Sequence, residues 1–184
     1  AGTPTLAEFE GPIRGYARDL FEVTSVKLYA DGALGSRGAA MLSAYSDDAG
    51  NLGLMRGDTA KFTAQIRAAH AKGLAANVHA IGDRANRIML DAFSLASGGK
   101  PSGFNDRIEH AQIVALEDIP RFARLNIVAA MQPTHATSDK NMAEDRVGPE
   151  RILGGYAWRR MLDAGVRVAA GSDFPVEKPE MFDG

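Results

Sequence analysis

The sequence predicts an α/β chain built on a parallel sheet of about five strands. Three observations carry that reading. Five short apolar segments alternate with four segments of helical periodicity. The links from helix to following strand are short, as right-handed βαβ units require. Gly is 20 of 184 residues and punctuates the ends of the apolar runs at Gly32, Gly35, Gly82, Gly165 and Gly171, without repeat or low-complexity tract.

The first strand is expected over residues 23–30 (VTSVKLYA), β-branched and aromatic, stopping at Asp31-Gly32. A polar, Gly-rich loop then runs to about Asp58. Residues 59–72 place Phe62, Ile66 and Ala69 on one helical face, and Gly73 stops that helix. Residues 74–80 (LAANVHA) read as a buried strand ending at Ile81-Gly82. Asp83 is the expected N-cap of a helix over 84–96, with Ile88, Leu90 and Phe93 as its apolar positions. The pattern recurs with a strand over 106–112 (DRIEHAQ), a short helix over 117–125, and a strand over 126–132 (NIVAAMQ) halted by Pro133. A polar loop is expected to Gly148, then one helix from Pro149 to Ala164, ended by Gly165. The last strand, 166–170 (VRVAA), closes on Gly171-Ser172-Asp173. Such a sheet is either doubly wound and open or part of a (β/α)8 barrel.

Composition excludes several function classes. Lys and Arg total 21 against 23 Asp and Glu, a formal net charge of −2, which offers no basic stripe for a nucleic acid. There is no Cys, so disulfide scaffolds, zinc ribbons and thiol nucleophiles are absent. The longest stretch free of Asp, Glu, Lys and Arg, residues 125–138, is too short to span a bilayer. No membrane or nucleic-acid partner is expected, and a cytoplasmic location is the simplest expectation. No Gly-x-Gly-x-x-Gly turn, Gly-Lys-Ser/Thr loop or Gly-x-Ser-x-Gly elbow occurs.

The polar residues at the carboxyl ends of the strands are the candidate chemistry. Alternation puts Ser25, Lys27 and Tyr29 on one face. Lys27 there is paired, is held uncharged, or snorkels to water. His79 and His110 close two successive strands, and Asp173 closes the last. Each has an ordinary reading, a satisfied core imidazole or a helix cap. Together they make an N/N/O set suited to Zn²⁺ or another divalent metal. His135, in the loop after Pro133, is expected at the rim of the same mouth, touching substrate or simply exposed. His70 reads as surface. Glu109, adjacent to His110, is expected on the opposite face, either paired with an Arg or supporting a site residue from behind, and Asp47-Asp48 and Glu144-Asp145 as solvated loop charge.

Five collinear segments carry a resemblance: VKLYADGALGSR (26–37), NVHAIGDRA (77–85), RIEHAQ (107–112), MQPTHATSD (131–139) and AGSDFPVE (170–177). Together they resemble the amidohydrolase superfamily, and within it amidohydrolase family 3, the YtcJ-like metal-dependent hydrolases. The resemblance implies a partial TIM (β/α)8 barrel, with strands four to eight present and the first strands and the small β-domain absent. Residues 1–184 are then a fragment of a metal-dependent hydrolase barrel. It implies that Lys27, as a carbamate, with His79, His110 and Asp173 ligates one or two divalent ions, zinc foremost, and that Asp173 handles the catalytic proton. The implied reaction is hydrolysis of an amide or other non-peptide C–N bond in a small-molecule substrate. The His-x-His pair of the family's first strand has no counterpart here, so the metal set in this chain is expected to be incomplete. The alternative expectation is a non-catalytic small-molecule-binding or structural barrel piece without metal. An open sheet edge would favour a homo-oligomer.

Overall fold

The computed structural model describes residues 9–179. Its centre is a five-stranded, all-parallel sheet in sequential order: β3 (Ser25–Tyr29), β4 (Ala75–Ala80), β5 (Arg107–His110), β6 (Val128–Met131) and β7 (Val168–Ala170). These are the five expected strands, each trimmed at one end or both. Before them an antiparallel hairpin, β1 (Ile13–Tyr16) and β2 (Phe21–Val23), forms where no element was expected.

The crossover helices pack on one face of the sheet. α1 (Thr59–Ala71) starts at Asp58, whose carboxylate accepts the Lys61 N–H at 2.8 Å, and presents Phe62, Ile66 and Ala69 to the sheet as predicted. α2 (Asp83–Ser97) ends at left-handed Gly98, and α3 (Ile119–Leu125) at left-handed Asn126. On the sheet, Val78, Ala80, Ile108, Ala129 and Met131 meet the buried helical residues Met89, Leu90, Phe93, Phe122 and Met161 in one continuous core. The opposite face carries Lys27, Tyr29, Asn77, His79, Arg107 and Glu109, the inside of a barrel wall.

Three expectations need correction. The polar loop after Pro133 contains two helices, α4 (Pro133–Ser138) and α5 (Ala143–Arg151). The single helix expected over 149–164 is instead the end of α5, which is kinked at Gly148 (φ 78°), a turn of 3₁₀ helix over Ile152–Gly154, and α6 (Trp158–Asp163). Tertiary pairing interrupts it. Gly155 bridges to Ile113, the Tyr156 N–H reaches the Gln112 carbonyl at 2.8 Å, and a Cβ on Gly154 would lie 1.9 Å from the Val114 carbonyl oxygen. Asp83 is not the N-cap of α2. Gly82 holds that position, and buried Asp83 accepts the Leu42 and Arg84 N–H groups at 2.7 and 2.8 Å.

Candidate metal and substrate site

All five strands run parallel, so their carboxyl ends open on one mouth. A cavity of about 500 Å³ lies there, and Lys27, His79, His110, His135 and Asp173 all line it. Every sequence-predicted site residue therefore lines the same mouth.

His79 is the fifth residue of β4, and its ring lies edge-on to His110 with 4.6 Å between centroids. His110 in turn stacks on His135, 5.7 Å away, so His135 sits in the cavity from the first turns of α4, not on a loop. Lys27 holds its ammonium 5.4 Å over the Tyr29 ring. Asp173 stands just after β7 in left-handed backbone (φ 59°).

Glu109 and His110 are neighbours, and strict alternation would set them on opposite faces. Glu109 is in register with His79 and therefore shares its face. His110 reaches the same side because the strand ends on it in left-handed backbone (φ 77°), with Ala111 following at 42°. The expected opposite placement of Glu109 is thus overturned, while its expected pairing holds, with Arg107 Nε 3.0 Å away.

The His110 ring is chemically oriented. Gln132 Oε1 lies 2.8 Å from Nδ1, while the Gln132 amide nitrogen donates to the Ala130 carbonyl at 3.3 Å. The amide oxygen is therefore the partner, so Nδ1 carries the proton and Nε2 keeps its lone pair. Burial first, then the neighbouring His79, pushes the His110 pKa down to about 3. This imidazole is neutral at physiological pH, the state a metal requires. Two imidazoles, a carboxylate and a lysine on one wall fit a borderline divalent ion in donor chemistry. Among the described residues, no three His, Cys, Asp or Glu side chains converge closely enough to enclose one.

Sequence reasoning passed over several residues that shape this mouth. Asp31, read only as the stop of a strand, is a fully buried carboxylate. It accepts the N–H groups of Ala40 (2.9 Å), Ile81 (3.0 Å) and Gly82 (2.8 Å). Gln132 was read as the last residue of a strand. Tyr156 and Gln112 both donate to Asp139 Oδ2, at 2.7 and 2.8 Å, fixing a polar rim. His70, expected at the surface, is instead stacked on Phe104 and faces Asp106 Oδ1 at 2.9 Å, at the amino end of the sheet. Asp47, expected as free loop charge, is exposed but binds Arg37 bidentately and also meets Arg146.

The sequence profile of the Amidohydrolase family matches residues 6–184. The chain belongs to the amidohydrolase family. Its relatives include the Bacillus subtilis (strain 168) protein YtcJ, provisionally named an amidohydrolase, 37% identical over 156 residues, 85% of this chain and 29% of that protein. Protein LONG AFTER FAR-RED 3 of Arabidopsis thaliana is 38% identical over 155 residues, 82% of this chain and 26% of its own length. The chain thus spans under a third of either relative. An uncharacterized metal-dependent hydrolase from Pyrococcus furiosus superposes with a TM-score of 0.82 at 31% identity, covering 92% of this chain and 34% of that one. The amidohydrolase sheet described above is accordingly a partial barrel, five parallel strands with their helices.

Proposed function

We propose that this amidohydrolase chain forms strands four to eight of a barrel whose whole protein is a metal-dependent hydrolase of amide or other non-peptide C–N bonds in small molecules. The observation that carries the reading is the paired imidazoles. His79 and His110 meet edge to face at the carboxyl end of the sheet, and Gln132 holds His110 with its Nε2 lone pair free. Similarity to the Pyrococcus furiosus protein described as a metal-dependent hydrolase supports it.

Lys27 (as a carbamate), His79, His110 and Asp173 would hold the ion, zinc by donor chemistry. A divalent ion bound there would lower the pKa of water and polarise the scissile carbonyl. The residues of this chain supply the rest. The Asp173 carboxylate takes the proton of the attacking water and returns it to the leaving nitrogen. His135, stacked on His110 at the cavity wall, contacts the substrate. Tyr156, Gln112 and Asp139 give the rim fixed hydrogen-bonding groups.

Metal content after dialysis without chelator, measured by inductively coupled plasma mass spectrometry, tests the reading. Zinc retained by the native protein and lost in His79→Gln and His110→Gln is the expected result. Folded protein that retains no divalent ion would reject the metal site in this chain and leave the non-catalytic reading.

A further inference from the structure

Asp139 is half-buried on the cavity wall, one helical turn beyond His135, and its backbone N–H donates to the His135 carbonyl at 2.9 Å. Three protons form a closed set around its carboxylate. Tyr156 donates its phenolic proton to Oδ2 at 2.7 Å. The Gln112 amide donates one N–H to the same oxygen at 2.8 Å and the other to the Tyr156 oxygen at 3.0 Å. A phenol has one proton, so only this assignment satisfies every pair. Burial first, then the bond to Asp139, raises the Tyr156 pKa, so the phenol keeps its proton and Asp139 is the anion. Both donors are spent on Oδ2. Oδ1 accepts nothing among the described residues, so it is the acceptor this cluster holds out to a ligand.

The charge of the mouth points the same way. Among the described residues, Lys27 is the one Lys or Arg on the cavity wall, against Asp139, Asp173 and Glu177. Lys27 stands on β3, three strand spacings from β6, roughly 14 Å along the sheet. It therefore does not neutralise Asp139, which follows β6. Lys27 and Asp173 are moreover the groups assigned to the ion. The carboxylates left for a substrate are Asp139, held by two donors, and Glu177, which makes no hydrogen bond or ion pair among the described residues.

We propose that Asp139 is a specificity-determining residue whose Oδ1 receives an N–H from a charged amine on the substrate. The substrate class is then amides that carry an ammonium group, and not a carboxylate, on the side of the mouth beyond His135. This rests on the proposed function in taking the mouth as the substrate site. Tyr156 and Gln112 fix the carboxylate before the ligand arrives, which is the preorganisation that lets one charged contact discriminate. A substrate carboxylate would meet Asp139 and Glu177 as like charges and is rejected on that ground.

Three amides that differ only at the far end of one chain test this: β-alaninamide (ammonium), butyramide (methyl) and succinamate (carboxylate). Each is titrated into the metal-free, ¹⁵N-labelled native protein, and the backbone N–H signals of α4 are followed. β-Alaninamide should bind roughly 10-fold tighter than butyramide, the discrimination of one charge-assisted bond, and succinamate more weakly than either. Succinamate or butyramide binding as tightly as β-alaninamide overturns the proposal, as does no binding by any of the three.

Asp139→Asn supplies the second arm. Its amide oxygen takes the place of Oδ2, where Tyr156 and Gln112 donate, and its NH₂ group replaces Oδ1 with a donor. The preference for β-alaninamide should disappear, succinamate should gain, and butyramide should be unchanged. Glu177→Gln is the companion variant and should keep the preference. A preference retained in folded Asp139→Asn, or lost in Glu177→Gln, refutes the role of Asp139. If Asp139→Asn does not fold, the native ranking and Glu177→Gln decide. Metal content separates the two levels. Ammonium selectivity in a chain that retains no zinc leaves Asp139 standing and rejects the metal site; zinc retained without selectivity does the reverse.

Discussion

Gly82 sits between β4 and α2 with φ −76° and ψ 156°, a conformation any residue adopts. Replacing Gly by Ala at such a backbone normally stabilises by about 0.4–1 kcal/mol, through the unfolded chain. Here the sign reverses. A Cβ on Gly82 would lie 2.0 Å from the Ala40 carbonyl oxygen and 2.6 Å from its carbon, so the Ala40 peptide must withdraw by more than about 1 Å to reach ordinary contact. The Ala40 carbonyl accepts the Arg84 and Ala85 N–H groups at 3.1 and 3.3 Å, and the N–H of the same residue donates to Asp31 at 2.9 Å. Losing two neutral bonds at about 1 kcal/mol each and one to a buried carboxylate at about 1.5–3 kcal/mol, less the unfolded-state gain, leaves Gly82→Ala destabilised by about 3 kcal/mol. For a chain of this size that lowers the melting temperature by roughly 6–12 °C. Urea unfolding followed by circular dichroism measures the loss, with Gly171→Ala as the control, since no heavy atom lies within 4 Å of a Cβ there. A midpoint for Gly82→Ala at or above that of the native protein would refute the reasoning.

Three further outcomes are expected. Gln132→Met removes the acceptor that holds the His110 Nδ1 proton and should weaken zinc binding by roughly 10–100-fold in chelator competition, with cooperative unfolding retained; unchanged affinity would mean that Gln132 does not orient the ligand. His110 titrates at about 3 when folded against about 6.5 unfolded, so its contribution to stability is complete above pH ~6.5 and is lost as pH falls toward 3. His110→Gln, compared with the native protein by urea midpoints across that window without metal, should flatten the slope by as much as ~1.4 kcal/mol per pH unit; parallel curves would contradict the depressed pKa. Asp106→Ala strands Ser102 Oγ, the Ala76 N–H and His70 at the amino end of the sheet and should cost about 3 kcal/mol. The same variant should leave metal content intact, because the site is at the other end; loss of metal in a folded Asp106→Ala protein would break that separation.

The strands were legible because each apolar run ends on a glycine, a proline or a polar turn, and because short links force parallel neighbours. The residues of the site were legible as types at strand ends. What could not be read depends on tertiary context. Tyr16 and Phe21 flank a hairpin tip at Ala17, Arg18 and Asp19, all three at positive φ, where only Asp19 is a customary turn residue. The helix expected from Pro149 to Ala164 has good local periodicity, yet Gly155 and Tyr156 are taken by the segment after β5. His70 looked like surface because its partner Asp106 is 36 residues away in sequence. Asp31 looked like punctuation because the backbone groups it binds, at Ala40, Ile81 and Gly82, lie 9 to 51 residues away in sequence.

The inversion at His110 shows how function departs from the regular pattern. A parallel sheet covered on both faces reads as a continuous apolar run, whereas β3, β4 and β5 alternate. Val26, Leu28, Val78, Ala80 and Ile108 go to the helices, and Lys27, Tyr29, Asn77, His79, Arg107 and Glu109 to the inner wall. Alternation alone would send His110 to the helices with Ile108, where an imidazole stripped of water has no use. Left-handed backbone at His110 and Ala111 breaks the period at the last residue of the strand and brings a second imidazole to the mouth beside His79. Non-glycine residues in that conformation cost free energy, of order 1 kcal/mol each, so a packed fold retains them only where the surroundings over-determine them. Here the surroundings are the Gln132 bond to Nδ1 and the pairing of Ile113 N–H with the Ile81 carbonyl at 2.9 Å. The irregularity does two things at once: it buries Ala111 in the main core and turns the His110 ring into the mouth.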